Sequence, residues 1–236
     1  YDAQRFRRDF CRVHGEITGR GGVPLLVGGA GMYLTAVREG FMDVPGQTPA
    51  RLAEVRAELE PLGDDEVRRR LATVDPNSHA RLHANDRQRS QRALEVHLLS
   101  GRTLTELQAA QQPDPALGLG FPVFVLERPT GDLDARIAAR TEAMLVEGWI
   151  EETEAALTRH RADGPGLASI GYREIVRHLR GELTRDELMP AIVRTTRQYA
   201  KRQRSWFRGV DAVMSGLPED PALVAVVTER FSAPGS

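Results

Sequence analysis

Apolar positions along the chain fall into two short runs and several helical stripes. In "GGVPLLVGGAGMYL" the run Val23–Val27 predicts a buried strand, Gly28, Gly29 and Gly31 a tight turn, and Met32 to Arg38 the start of a helix. The second run, "FPVFVLERP" from Phe121, predicts another strand, and a helix from Leu133 through Met144 follows it with Asp132 as capping acid. Strands alternating with helices predict a parallel α/β sheet. From about Thr48 to Leu119 there are only helical patterns and turn signals, including a capping box at Asn85–Gln88, so this stretch reads as a helical insertion. The predicted organisation is an α/β core of residues 1–47 and 120–236, interrupted by an all-helical domain of residues 48–119. "YDAQRFRRDF" looks like the middle of an amphipathic helix carrying Phe6 and Phe10, and with no methionine at its head the chain is expected to be a fragment. "SGLPEDPALVAVV" opens a last helix, and the closing "SAPGS" is expected to fray.

The stretch "TTRQYAKRQRSWFRG", Thr195 to Gly209, holds no acidic residue and three aromatics. On a helix at about 100° per residue, Arg197, Lys201, Arg204 and Arg208 form one narrow stripe, with Arg194 at its edge. Ile192, Thr196, Tyr199, Gln203, Trp206 and Phe207 fall on the other side, so the helix is expected to bury an aromatic face and turn its cations away from it. Solvated faces normally mix signs to gain i,i+4 pairs, and no acid within this stretch relieves the repulsion. A polyanion-binding face and an ordinary surface helix both fit the pattern.

Charge balance narrows the choice of partner. The 236 residues carry a formal net charge of −1, which excludes a globally basic nucleic-acid coat and makes any polyanion site a local concentration of charge. At 41% hydrophobic the chain can bury a sizeable core. The single cysteine, Cys11, excludes an intrachain disulfide framework and a Cys-based zinc cluster, and the six histidines show no ligand spacing, so no metal site is expected. No apolar run is long enough to cross a bilayer and no signal peptide is visible, so the expectation is a cytoplasmic monomer with no membrane partner. Lys201 is the only lysine, so no G-K-[ST] phosphate loop exists within these residues.

Four further constellations carry chemistry. The Gly28–Gly31 turn lies beyond the carboxyl end of a predicted strand, where doubly wound folds bind ligands, but a plain tight turn fits equally. In "HANDRQRSQRALEV" Arg87, Arg89 and Arg92 occupy the first turns of a helix capped by Asn85, where cations oppose the macrodipole and an external anion would reverse the sign. Gln88 and Gln91 add amides able to read base edges or bridge to phosphate. The alternative is that Asp86 neutralises part of this charge and the arginines lie along the surface. Arg136 and Arg140 at i,i+4 could hold a pyrophosphate, or pair with Asp132, Asp134 and Glu142. In "LASIGYREI" Tyr172 and Arg173 could form a base-stacking platform, although such a tyrosine is more often core.

Taken in order, "VPLLVGGAGMYL", "DPNSHARLHANDRQRSQRALEVHLLSGRT", "ASIGYREIVRHLRGE" and "TRQYAKRQRSWFRG" resemble the tRNA dimethylallyltransferases, and the likeness runs from Tyr1 to about Gly209. The resemblance implies a P-loop-kinase-like α/β core with a helical insertion that grips the anticodon stem-loop of tRNA. It implies transfer of a dimethylallyl group from dimethylallyl diphosphate to N6 of the adenine just 3′ of the anticodon, with Mg2+ as cofactor. Under it Gly28, Gly29, Ala30, Gly31 and Tyr33 line the reaction channel, and Arg140, Arg197 and Lys201 bind the diphosphate. Arg87, Gln88, Arg89, Ser90, Gln91, Arg92, Gly171, Tyr172, Arg173 and Arg204 bind tRNA, while Tyr199, Trp206 and Phe207 anchor the terminal helix to the core. These residue types suit the chemistry, because a flipped adenine needs a shaped pocket and a departing pyrophosphate needs cations where charge develops.

Two departures from the family pattern bear on this. Ala30 stands where the family usually has threonine, and the family's phosphate loop and catalytic aspartate belong upstream of Tyr1, so no catalytic residue is expected within these residues. The chain then reads as part of a prenyltransferase or as a non-catalytic RNA-binding remnant. Prenylation of free adenine nucleotides fits less well, since those substrates do not need the long insertion.

Overall fold

The computed structural model describes residues 2–40, 42–111, 121–162 and 164–232, with residues 231 and 232 described by their backbone alone. The predicted end of the insertion near Leu119 and most of the closing "SAPGS" lie outside them. The described residues form two compact units, one of residues 1–25 with 32–120, the other of residues 26–31 with 121–236.

The first unit is helical. Its elements are α1 (Ala3–Gly19), α2 (Gly31–Arg38, whose first residue belongs to the other unit), α3 (Pro49–Leu59), α4 (Asp64–Val74), α5 (Pro76–Arg81), α6 (Arg87–Ser100) and α7 (Leu104–Ala109). Side-chain caps set the starts: Asp2, Thr48, Asp86 and Thr103 each accept a main-chain N–H three residues on. Val55 and Leu59 of α3, Val67 and Leu71 of α4 and Leu94 of α6 form its core. Asp75, buried, ties the unit together: it accepts from the Ser78 N–H and hydroxyl at 3.0 and 2.7 Å and from the Thr105 N–H and hydroxyl at 3.1 and 2.7 Å. Burial pushes this carboxyl up, but those four bonds together hold it below the usual carboxylate range.

The second unit is α/β. β1 (Phe124–Leu126) and, after four helices, β2 (Met214–Gly216) pair in parallel, with Phe124 opposite Met214 and Leu126 opposite Gly216. The helices are α8 (Thr130–Val146), α9 (Trp149–Leu157), α10 (Tyr172–Leu179) and α11 (Arg185–Phe207), and α12 (Pro221–Ser232) follows β2. Trp149, Ile175, Leu188 and Ile192 form the core shared by α9, α10 and α11.

Several expectations are corrected. Val23–Val27 is not a strand: no strand lies beside it among the described residues, so no ladder forms, and Leu25 and Val27 are 65% and 79% exposed. The strand expected from Phe121 is confined to Phe124–Leu126. Asp86, not Asn85, caps α6, accepting from the Arg89 N–H at 3.1 Å. Asp132 does not cap α8, which starts two residues earlier after Pro129, so its carboxylate is free to pair with arginines. Residues 1–25 and 32–47, grouped in sequence with 120–236, are compact with the insertion helices. Val44 enters their core, and the Gln111 side chain donates to the Glu39 and Gly40 carbonyls at 3.1 and 2.7 Å.

Candidate functional site

The basic helix is fixed at its start and along one side. Thr184 and Glu187 close a reciprocal capping box at the head of α11, the Glu187 carboxylate accepting from the Thr184 N–H at 2.9 Å. Further along, the Thr195 hydroxyl donates to buried Glu174 at 3.1 Å. Arg197 pairs with Asp134 at 3.3 Å and Arg204 donates to the Thr130 hydroxyl at 2.5 Å, so α8 and α11 lie antiparallel. No acid lies within the stretch itself, and the counter-charge for Arg197 comes from another helix. Arg194, Lys201 and Arg208 are exposed and make no ion pair among the described residues.

On the other side, α11 closes on the glycine turn. Gln203 Nε2 donates to the Gly29 carbonyl at 2.8 Å. A Cβ on Gly29 would stand 2.2 Å from Gln203 Nε2, and one on Gly31 2.3 Å from the Trp206 ring. Neither glycine has a positive φ; a side chain at Gly31 would run into the Trp206 ring, and one at Gly29 would displace the end of the Gln203 side chain. Trp206 and Phe207 are half-buried and meet edge to face, with centroids 4.8 Å apart. Tyr199 does not anchor the helix: it is 36% exposed, with Arg202 lying 5.6 Å from its ring centre. Tyr33, on α2, stacks on Phe6 within the helical unit at 4.5 Å.

The three cations expected to share a diphosphate are not brought together. Arg136 is taken up by Asp132, at 3.0 and 3.1 Å to its two oxygens, and that carboxyl is held low first by Arg136 and then by Arg128. Arg140 is exposed and unpaired among the described residues, but it lies about 9 Å beyond Asp134 along α8 at 1.5 Å per residue, away from the level of Lys201.

The start of α6 is neutralised rather than open. Arg87 pairs with Asp64 at 2.6 Å, and Arg92 bridges Glu95 at 3.2 Å and the Gln47 side chain at 2.9 Å. Glu95, buried, also receives Arg56 at 3.1 Å. Arg89 stays 75% exposed beside Asp86 at 3.5 Å, and Gln88 is exposed. Ser90 is fully buried, and Gln91 is half-buried.

Of the expected Tyr172–Arg173 platform, Tyr172 is half-buried against the core and Arg173 is exposed. Tyr172 meets Trp149 edge to face at 5.5 Å and donates its hydroxyl to Glu152 at 2.7 Å, which raises the phenol's pKa. Arg173 pairs with Glu174 at 3.0 Å. Gly171, at φ +90°, lies so close to Trp149 that a Cβ would fall 2.0 Å from the indole, and its N–H donates to Glu174 at 2.8 Å. Burial pushes the Glu174 carboxyl up, but the Gly171 N–H, Arg173 and Thr195 hold it below the ordinary range.

No three His, Cys, Asp or Glu side chains converge to hold a metal ion among the described residues. No described helix is long and apolar enough to cross a membrane.

The IPP transferase family model matches residues 1–210. The chain belongs to that family. The tRNA dimethylallyltransferase of Synechococcus sp. is 39% identical over 198 residues, covering 84% of this chain and 62% of that protein. The tRNA dimethylallyltransferase of Chromobacterium violaceum is 40% identical over 217 residues, covering 90% of this chain and 66% of its own. Among solved structures, the full-length tRNA isopentenylpyrophosphate transferase from Bacillus halodurans superposes with a TM-score of 0.63 at 28% identity, covering 98% of this chain and 73% of that one. The chain thus spans less than two thirds of the Synechococcus relative. Within this IPP transferase chain, the sequence did not show that Gln203 bonds Gly29, that Asp134 pairs with Arg197, or that Glu174 accepts from Thr195. Each of these partners lies in another element, 21 to 174 positions away.

Proposed function

We propose that these residues form the tRNA-gripping and channel-lining part of an enzyme that transfers a dimethylallyl group from dimethylallyl diphosphate to N6 of the adenine 3′ of the anticodon. The observation that carries the reading is the two-sided use of α11. One side closes on the glycine turn through Gln203 and Trp206, while Arg194, Lys201 and Arg208 stay exposed and unpaired among the described residues. A phosphate chain supplies the counter-charge such cations lack, and a leaving pyrophosphate needs cations where its charge develops. In the insertion, the reading assigns RNA contact to exposed Gln88 and Arg89, and the reaction channel to Gly28–Gly31.

With one lysine and no Gly-Lys-Ser/Thr sequence, these residues do not supply the neutralisation a phosphate loop provides. The test incubates labelled dimethylallyl diphosphate, magnesium and tRNA with the chain alone, and with the chain joined to a family phosphate-loop segment. Label is expected in tRNA, at that adenine, from the joined protein only. No label from the joined protein overturns the reading, and comparable label from the chain alone overturns the division of labour.

A further inference from the structure

Gln203 and Trp206 hold the two residues that flank Ala30. The Gln203 side-chain nitrogen, the only end of that amide able to donate, bonds the Gly29 carbonyl at 2.8 Å, across 174 positions of sequence. Trp206 fills the space where Gly31 would carry a side chain. In a trans peptide the carbonyl of one residue and the N–H of the next point in opposite directions. Holding the Gly29 carbonyl against α11 therefore turns the Ala30 N–H to the far side of the turn. That N–H has no hydrogen-bond partner among the described residues. With alanine at position 30, it is also the only donor the residue can offer. Gly29 loosens this peptide on its N-terminal side, so the direction of the donor depends on the clamp.

We propose that Gln203 is a positioning residue, which fixes the 29–30 peptide so that the Ala30 N–H is aimed at substrate in the channel. The proposal rests on the reading that the glycine turn lines that channel. It also gives α11 a double task, since the helix that presents Lys201 outward sets the channel backbone with its inner face. RNA bound by the cations thereby bears on the same rigid element as the turn.

The test uses the 236-residue chain, isotope-labelled, and reads the Gly29 carbonyl and the Ala30 amide by NMR. Gln203→Met keeps the side chain's length and removes the donor. The Gly29 carbonyl resonance is expected to move to the position of an unbonded carbonyl, and amide exchange across Gly29–Gly31 to rise roughly tenfold, with the thermal midpoint little changed. Gln203→Glu gives a readout that packing alone would not move. The introduced carboxylate cannot donate at pH 8, whereas below its ordinary pKa of about 4.3 the protonated carboxyl can, so the bonded carbonyl position is expected to return only in acid. A Gly29 carbonyl unchanged in Gln203→Met, or a Gln203→Glu signal indifferent to pH, overturns the clamp. Adding dimethylallyl diphosphate is expected to shift the Ala30 N–H of the wild type, and to need at least tenfold more ligand in Gln203→Met. A wild-type Ala30 N–H that ignores the ligand counts against the channel reading, and the carbonyl signals then decide the clamp by themselves.

Discussion

The start of α6 and the second half of α11 carry similar sequence, arginines at helical spacing with glutamines between them, and the fold treats them differently. In α6, Arg87 and Arg92 are met by Asp64 and buried Glu95, acids brought by α4 and by the next turn of α6 itself. In α11 only Arg197 meets an acid, Asp134, while Arg194, Lys201 and Arg208 stay exposed. A cluster of cations in sequence is therefore not yet a binding surface. What decides is whether the packing of other helices delivers carboxylates to it, and periodicity within one helix carries no information about that.

The comparison can be broken most forcefully on α11. Replacing Arg194, Lys201 and Arg208 together by glutamine is expected to weaken binding of an anticodon stem-loop roughly 100-fold at low salt, with the thermal midpoint unchanged. Filter binding beside a melting curve checks both, and a large drop in melting with intact binding would mean these cations hold the fold.

Next in size is the latch at the base of the same helix. Glu174→Ala leaves the Gly171 N–H and the Thr195 hydroxyl without their acceptor, and is expected to cost about 1–3 kcal/mol in chemical denaturation. The carboxyl's pKa is lower folded than unfolded, so its contribution is full above the unfolded value near 4.5 and is lost as pH falls through the folded value. Wild-type stability should therefore fall more steeply below about pH 4.5 than that of Glu174→Ala. Parallel curves would contradict the assignment.

On α6 the expected effects are smaller and of the other kind. Arg87→Ala with Arg92→Ala should lower stability by about 1–2 kcal/mol, since Arg87 pairs with an exposed acid and Arg92 with a buried one. RNA affinity should stay within about threefold once folding is allowed for. Smallest of all, Arg89→Ala should leave melting unchanged and weaken RNA binding only a few-fold, as expected for one exposed phosphate contact. If the paired arginines of α6 outweigh Lys201 in RNA binding, the comparison is reversed.

Features of short range were legible in the sequence. The helices between Thr48 and Gln111, the helix after the glycine turn, and the long basic helix with Trp206 on its inner side all follow from local periodicity, and all form. Errors arose where a distant partner decides. Val23–Val27 has strand composition, but a strand exists only when a neighbour completes its ladder. Tyr199 shares a helical face with Trp206, yet the glycine turn reaches only as far as Gln203 and Trp206, which leaves the tyrosine outside. The hydrogen bond of Tyr172 to Glu152, 20 positions away, is likewise invisible in a linear pattern. The glycines were read as turn formers, whereas Gly31 leaves room for the Trp206 ring and Gly29 for the end of Gln203, both from a helix at the far end of the chain.

The central claim, that open charge on α11 and neutralised charge on α6 do different work, is tested most directly by the salt dependence of anticodon stem-loop binding. The observed association constant would be measured from low to moderate salt for wild type, Lys201→Gln and Arg92→Gln. The account predicts that the log–log slope flattens by about 0.7–0.9 for Lys201→Gln, the change expected when one phosphate fewer is neutralised, and is unchanged for Arg92→Gln. An unchanged slope for Lys201→Gln, or an equal flattening for Arg92→Gln, would contradict it.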